Sequence, residues 1–250
     1  MKTQSFLAPV REFFFPRGCA FCGETLAGKG ESLYGLCDPC RAKLSLPAGG
    51  KGPDCCEQCG RPLISETGRC LPCREEGPRS CERVAVVYPY SGKYRKLLGE
   101  YKFGKNTTLG VFLAERLKEA CSRLPGFDPC PAGPGQGARN APLLVPIPPR
   151  PGKLRKTGWD QVEYLARLFE REGLPVYRCL KRLPSLSQKE LNREDRLRNL
   201  QDRFVLTRPA PPFAILFDDV LTTGATLEAC AGALKKAGTG KVYGACLFYD

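Results

Sequence analysis

The chain of 250 residues contains no histidine. That absence excludes Ser-His-Asp and Cys-His catalysis, mixed Cys/His metal centres and any imidazole general base. Long apolar runs are missing too: no stretch approaches the 18 consecutive apolar residues of a membrane-crossing helix, so no membrane span is expected. The opening segment, MKTQSFLAPVREFFFPRG, is apolar in part, but Arg11 and Glu12 interrupt it and no small-residue cleavage site follows. It does not read as a secretory signal, and a cytoplasmic location is expected. Acidic residues are outnumbered, 26 against 39 basic, which leaves a formal charge of +13. A chain this basic suits polyanionic partners: phosphorylated small molecules, nucleic acid or an acidic membrane surface. Its length accommodates one catalytic-size domain and a small appendage.

Cysteine is abundant, at 15 residues, and unevenly spread: ten fall between Cys19 and Cys81. Most form CxxC pairs, a pattern of metal ligation in a reducing compartment rather than of a secreted disulfide framework. Cys19 and Cys22 are followed after fourteen residues by Cys37 and Cys40; Cys56 and Cys59 are followed after ten by Cys70 and Cys73. Two such knuckles close one tetrahedral site of four thiolates, which leaves no open position for water, so two structural Zn²⁺ ions are expected. Ligand type alone leaves iron as an alternative ion, and disulfides or loose thiols as the alternative to any metal. Cys55 adjoins Cys56, a register ambiguity in which CxxC spacing favours Cys56; Cys81 is expected to be unligated. Short ribbons and tight turns are expected between the knuckles.

The most informative segment is Ala214–Thr226, AILFDDVLTTGAT. Ala214 to Phe217 reads as a fully buried strand that stops at two adjacent acids, Asp218 and Asp219. The loop Thr222, Thr223, Gly224, Ala225, Thr226 then leads into a helix-like stretch. Gly224 permits a positive φ or a close approach, and the unpaired amides of a helix start face an anion. The acids cannot meet phosphate directly, so they suit sugar hydroxyls or a metal ion. A ribose carrying a 5′-phosphate satisfies both halves. The bland alternative is an ordinary strand–loop–helix connection in which Asp and Thr serve as turn and cap residues.

Elsewhere, strands are expected at Val84–Tyr88, Leu143–Pro146, Leu174–Leu180, Phe204–Leu206 and Lys241–Phe248. Helices are expected at Gly92–Phe103, Leu109–Arg123 and Thr226–Ala237, and one carries Val162, Leu165, Ala166 and Phe169 on its core face. Asp128–Asn140 reads as a surface insertion and Gln188–Leu200 as a charged helical hood. Strands alternating with helices predict an α/β fold with a parallel sheet and flanking helices, its site beyond the carboxyl ends of the strands.

The DDVLTTGAT segment resembles the signature by which type I phosphoribosyltransferases bind 5-phosphoribosyl 1-diphosphate (PRPP). The whole layout is similar to the ComF family, a double zinc ribbon (here residues 1–80) preceding a type I phosphoribosyltransferase-like domain (81–250). The resemblance rests on the paired ribbons, Tyr88 with Tyr101-Lys102-Phe103, Val145–Pro148, Arg155–Gln161, Gln188–Leu191 with Arg196 and Asn199, and the DDVLTTGAT loop. Gly158-Trp159-Asp160-Gln161 departs from the family's usual RGFNQ-like form. The resemblance implies that Thr222 to Thr226 hold the 5′-phosphate and that Asp218 and Asp219, the catalytic acids, hold the ribose hydroxyls. PRPP would arrive with Mg²⁺ on its diphosphate, and Lys102, Lys105, Lys153, Arg155 and Lys156 are the cations for the leaving group. Trp159 is expected to pack rather than to stack on a ligand, and Asp219 is a weak choice of base for an incoming nucleophile. Two readings stay open: an enzyme passing phosphoribose to a nitrogen acceptor, and a non-catalytic binding protein of DNA uptake whose partner is single-stranded DNA or another uptake protein.

Overall fold

The computed structural model describes residues 18–26, 28–45, 55–77, 79–128, 141–184 and 203–250. Most of the expected insertion after Asp128 and all of the hood, with Arg196 and Asn199, lie outside the described residues.

Four parallel strands, β1 (Arg83–Pro89), β2 (Leu143–Pro146), β5 (Phe213–Leu221) and β6 (Lys241–Tyr249), form one sheet in the order β1-β6-β5-β2. The parallel α/β arrangement is therefore as expected. β5 and β6 read as near-continuous apolar runs because both faces are covered. On one face Ile215, Phe217, Ala245 and Leu247 join a core with helices α5 (Thr107–Ser122) and α7 (Gln161–Arg171). On the other, Ala214, Leu216, Val242 and Cys246 pack with helix α8 (Ala225–Lys236) and with Leu180 and Phe204 of the antiparallel pair β3 (Leu180–Arg182) and β4 (Phe204–Leu206). Helices α4 (Gly92–Lys102) and α6 (Lys153–Thr157) complete the α/β part.

Two expectations are corrected. β5 does not stop before Asp218: it continues to Leu221, with Val220 paired to Phe248, so the two acids belong to the strand itself. Leu174–Leu180 is not a strand; only Val176 bridges to Leu144 before β3 begins.

The cysteine region is more helical than short ribbons suggest. It contains α1 (Lys29–Tyr34), α2 (Asp38–Leu44) and α3 (Leu71–Glu75). Cys37 and Cys70 each cap one of these helices, with a proline in the first turn where its missing N–H costs nothing. The first ribbon is fused to the main core: Phe21, Leu36 and Leu44 join it, and the Tyr88 hydroxyl donates to the Leu44 carbonyl.

Candidate functional site

Successive residues of a strand face opposite sides of a sheet, and Asp218 and Asp219 divide accordingly at the carboxyl end of β5. Asp219 is 5% exposed. Its Oδ2 accepts from Lys102 Nζ and from Gln161 Nε2, each at 2.9 Å. Lys102 ends α4 and Gln161 begins α7, so two helix termini converge on one carboxylate; the Tyr101 hydroxyl braces the junction by donating to the Gln161 carbonyl at 2.6 Å. Lys153 of α6 extends the network, donating to Gln161 Oε1 and, at 2.6 Å, to Asp160. Asp160 caps α7 by accepting from the amides of Val162 and Glu163.

These surroundings give the acids opposite character. Burial opposes ionisation of Asp219, but Lys102 outweighs it, with help from Asp218 and Gln161, and holds the carboxyl below its ordinary range. Asp218 is half-buried, and burial first, then the adjacent Asp219 carboxylate, push it well above that range. Its Oδ1 accepts from the Asp219 amide at 2.8 Å, and Cys246 is its register partner on β6. Replacing Lys102 with methionine leaves Asp219 without its counter-charge. The expected result, measured by denaturant unfolding at pH 7, is a loss of about 1–3 kcal/mol of stability.

Beside the acids lies a cleft of about 510 Å³. Asp218, Asp219, Thr222 and Thr226 line it together with Lys102, Arg150, Lys153 and Arg182. The Arg182 pKa is lowered, first by burial and then by the neighbouring positive charges of Arg150 and Arg203. Such crowding of like charge favours an anion among them. Gly224 adopts the left-handed conformation, φ 80°, that turns the chain from the loop into α8. Thr223 and Gly224 line a separate cavity behind the loop rather than the cleft. Ala225 lines neither cavity, and its amide donates to the Thr223 hydroxyl at 3.3 Å.

Of the expected cations, Lys102 and Lys153 reach the cleft. Arg155 and Lys156 are exposed on α6 and do not line it, while Lys105 donates from Nζ to the Thr157 carbonyl at 2.7 Å. Arg150 and Arg182 are not among the expected cations; tertiary folding brings both to the cleft. Trp159 packs against Tyr101 and Tyr164, with ring centroids at 5.8 and 5.0 Å, which fits the packing role.

Both sets of four cysteines assemble as expected. In Cys19/Cys22/Cys37/Cys40 and in Cys56/Cys59/Cys70/Cys73 the sulfurs all lie within 4.8 Å of one another. Cys22 Sγ is 3.6 Å from Cys37 Sγ, and Cys59 Sγ is 3.7 Å from Cys70 Sγ. Tetrahedral zinc, with Zn–S of about 2.3 Å, requires S···S of about 3.8 Å, so the donor set fits two zinc ions. Burial disfavours the Cys19 and Cys56 thiolates, yet amide donors of their own turns and of Cys37 and Cys70 outweigh it and hold both pKa values at about 6. Cys56, not Cys55, belongs to the second cluster, and Cys81 is buried outside both.

A basic α/β protein with two four-thiolate zinc sites is the class that these features define. Comparison with known proteins refines it. Residues 10–85 match the family model of the double zinc ribbon domain. Competence protein F of Haemophilus influenzae is 24% identical over 237 residues, covering 92% of this chain and 95% of that protein. DNA utilization protein YhgH of Escherichia coli K12 is 26% identical over 238 residues, 86% of this chain and 97% of that protein. The protein of that name from Salmonella typhimurium is 25% identical over 248 residues, with 93% and 96% covered. These similarities, spread over most of the chain, support the resemblance to the ComF family. Among the described residues no helix is long and apolar enough to cross a membrane.

Proposed function

We propose that the cleft at the end of β5 binds PRPP or a closely related phosphoribosyl ligand, and that the protein acts in DNA uptake. The observation that carries the ligand reading is the meeting of Asp218, Thr222 and Thr226 with Lys102, Arg150, Lys153 and Arg182 around one cleft. Acids and cations occupy it together, as a sugar bearing phosphates at both ends requires. Asp218 offers a carboxyl oxygen to the ribose hydroxyls. Asp219 is committed to Lys102 and Gln161, so it orients the Lys102 ammonium in the cleft. The loop of Thr222–Thr226 takes the 5′-phosphate, and the arginines with Lys153 face the diphosphate. Mg²⁺ belongs to the ligand in this reading, because PRPP carries the ion on its diphosphate. Among the described residues the two cysteine sets are the groups of three or more that could hold a metal.

If the bound sugar is also transferred, incubation with PRPP, Mg²⁺ and pooled nucleobases or amines should release pyrophosphate. Binding without release assigns the cleft to an effector role. Absence of both binding and release contradicts the ligand reading.

The DNA-uptake reading draws on the names of the relatives and on one surface beside the cleft. Phe103 is 79% exposed, and Leu154, Arg155 and Lys156 are exposed on α6. The bond from Lys105 to the Thr157 carbonyl draws the two segments together. Aromatic rings among basic side chains suit single-stranded nucleic acid, with bases stacked and phosphates neutralised. Exchanging Phe103 for alanine should weaken single-stranded DNA binding about tenfold, and affinity should fall steeply between 50 and about 200 mM salt. Unchanged affinity in the variant, measured by fluorescence anisotropy, would remove Phe103 from the interface.

A further inference from the structure

The second cysteine set reaches the motif loop from behind. Arg61, two residues beyond Cys59, donates from Nη2 to the main-chain carbonyl of Thr222, across 161 residues of sequence. Arg79 stands so close that a Cβ added at Gly224 would meet its Nη1 at 3.2 Å, and its guanidinium is paired with Glu76. Glu228, in the first turn of α8, accepts from the amides of Ser80 and Cys81 at 2.6 and 3.2 Å. The ribbon itself is seated on β1: the Val84 amide donates to the Gln58 carbonyl at 2.8 Å, and a Cβ at Gly60 would lie 2.2 Å from the Val84 oxygen. A cavity of about 470 Å³ is lined by Cys59, Cys70 and Cys73 of the ribbon and by the loop residues Thr222, Thr223 and Gly224.

The Arg61 contact has a directional consequence. In a trans peptide the carbonyl and the following N–H point opposite ways. Fixing the Thr222 carbonyl toward the ribbon turns the Thr223 amide away from it, and Thr222 and Thr226 of the same loop line the cleft. The geometry points to a working role for the second ribbon: Arg61, supported by Arg79, is a positioning residue that aims a main-chain donor of the Thr222–Thr226 loop at the ligand's phosphate. This rests on the phosphoribosyl reading for the identity of the ligand, but not for the loop contact.

The test compares parent and Arg61→Ala full-length protein, both confirmed to carry two zinc ions. Hydrogen exchange of the 222–226 amides and calorimetric affinity for PRPP with Mg²⁺ are measured on each. We expect faster loop exchange in the variant and affinity about tenfold weaker, the size for losing one charge-assisted hydrogen bond. If the parent binds no PRPP while loop exchange still accelerates in the variant, the phosphoribosyl reading falls and the positioning role stands. Unchanged loop exchange with zinc retained overturns the role, whatever the affinity does. Faster exchange with unaltered PRPP affinity overturns it as well. Should Arg61→Ala lose zinc or fail to fold, Arg61→Lys, which keeps the charge but not the fork of donors, is judged by the same outcomes.

Discussion

Stripping zinc from the protein with a strong chelator under reducing conditions should unfold residues 18–77. The second ribbon in particular has little to hold it together besides the metal. Among the described residues, its cluster gathers Leu63 and Cys70 around Cys56, Cys59 and Cys73. Apparent binding free energies for structural zinc are about 10–16 kcal/mol at neutral pH, a range larger than the whole stability of most domains. The damage should spread further than a detachable appendage would allow. Phe21, Leu36 and Leu44 of the first ribbon are part of the main core, the Tyr34 hydroxyl donates to Glu115 of α5 at 2.9 Å, and Tyr88 of β1 donates to the Leu44 carbonyl. Metal loss should therefore lower the melting temperature of the α/β part as well. Scanning calorimetry and circular dichroism before and after chelation, with metal content by mass spectrometry, measure this. An unchanged melting profile in protein shown to be metal-free would contradict the zinc assignment.

The second large effect is a pair of opposite changes at adjacent positions. Asp219 has a depressed folded-state pKa, so its contribution to stability is present above the unfolded value of about 3.9 and is lost as pH falls through the folded value. At pH 7 that contribution is complete. Asp219→Asn removes it and turns an amide donor toward Lys102 and Gln161, so stability should fall by about 1–3 kcal/mol. Asp218 has the opposite sign: its raised pKa contributes stability below the unfolded value, and this is lost as pH rises through the folded one. Burial and the Asp219 carboxylate oppose ionisation of Asp218, so at neutral pH this group works against the fold. Asp218→Asn should therefore raise the melting temperature at pH 7 by a few degrees, given about 2–4 °C per kcal/mol in a protein of this size, while abolishing ligand binding. Stability traded for a functional group is common at sites. Differential scanning calorimetry of the two variants at pH 7 decides the matter. A shift of both melting temperatures in the same direction would show that the carboxylates are not divided as the geometry has them.

The parts of this structure legible in sequence are those with a short-range chemical signature. Two sets of CxxC pairs at ribbon spacing announced both metal clusters, down to the choice of Cys56 over Cys55. The apolar run before Asp218 announced a buried strand, and Gly224 its turn. What escaped has an equally physical cause. Asp218 and Asp219 looked like the end of a strand because buried strands seldom carry acids; here β5 continues because Lys102 and Gln161, from two other elements, satisfy Asp219 inside the protein. Within the basic segment, charge could not tell Lys153 from Arg155 and Lys156. The turn of α6 decides it, directing Lys153 to Asp160 and leaving the other two exposed. Arg150 and Arg182 are neighbours only through the tertiary fold, and the bond from Arg61 to Thr222 spans most of the chain. No local pattern encodes such meetings.

Titrating PRPP with Mg²⁺ into zinc-replete protein, and following heat together with amide exchange at Thr223–Thr226, tests the central claim most directly. The account predicts saturable binding of one ligand per chain, slowed exchange at those amides, and neither signal in Asp218→Asn. A parent protein that gives no heat and no protection, or a variant that binds as the parent does, would contradict it.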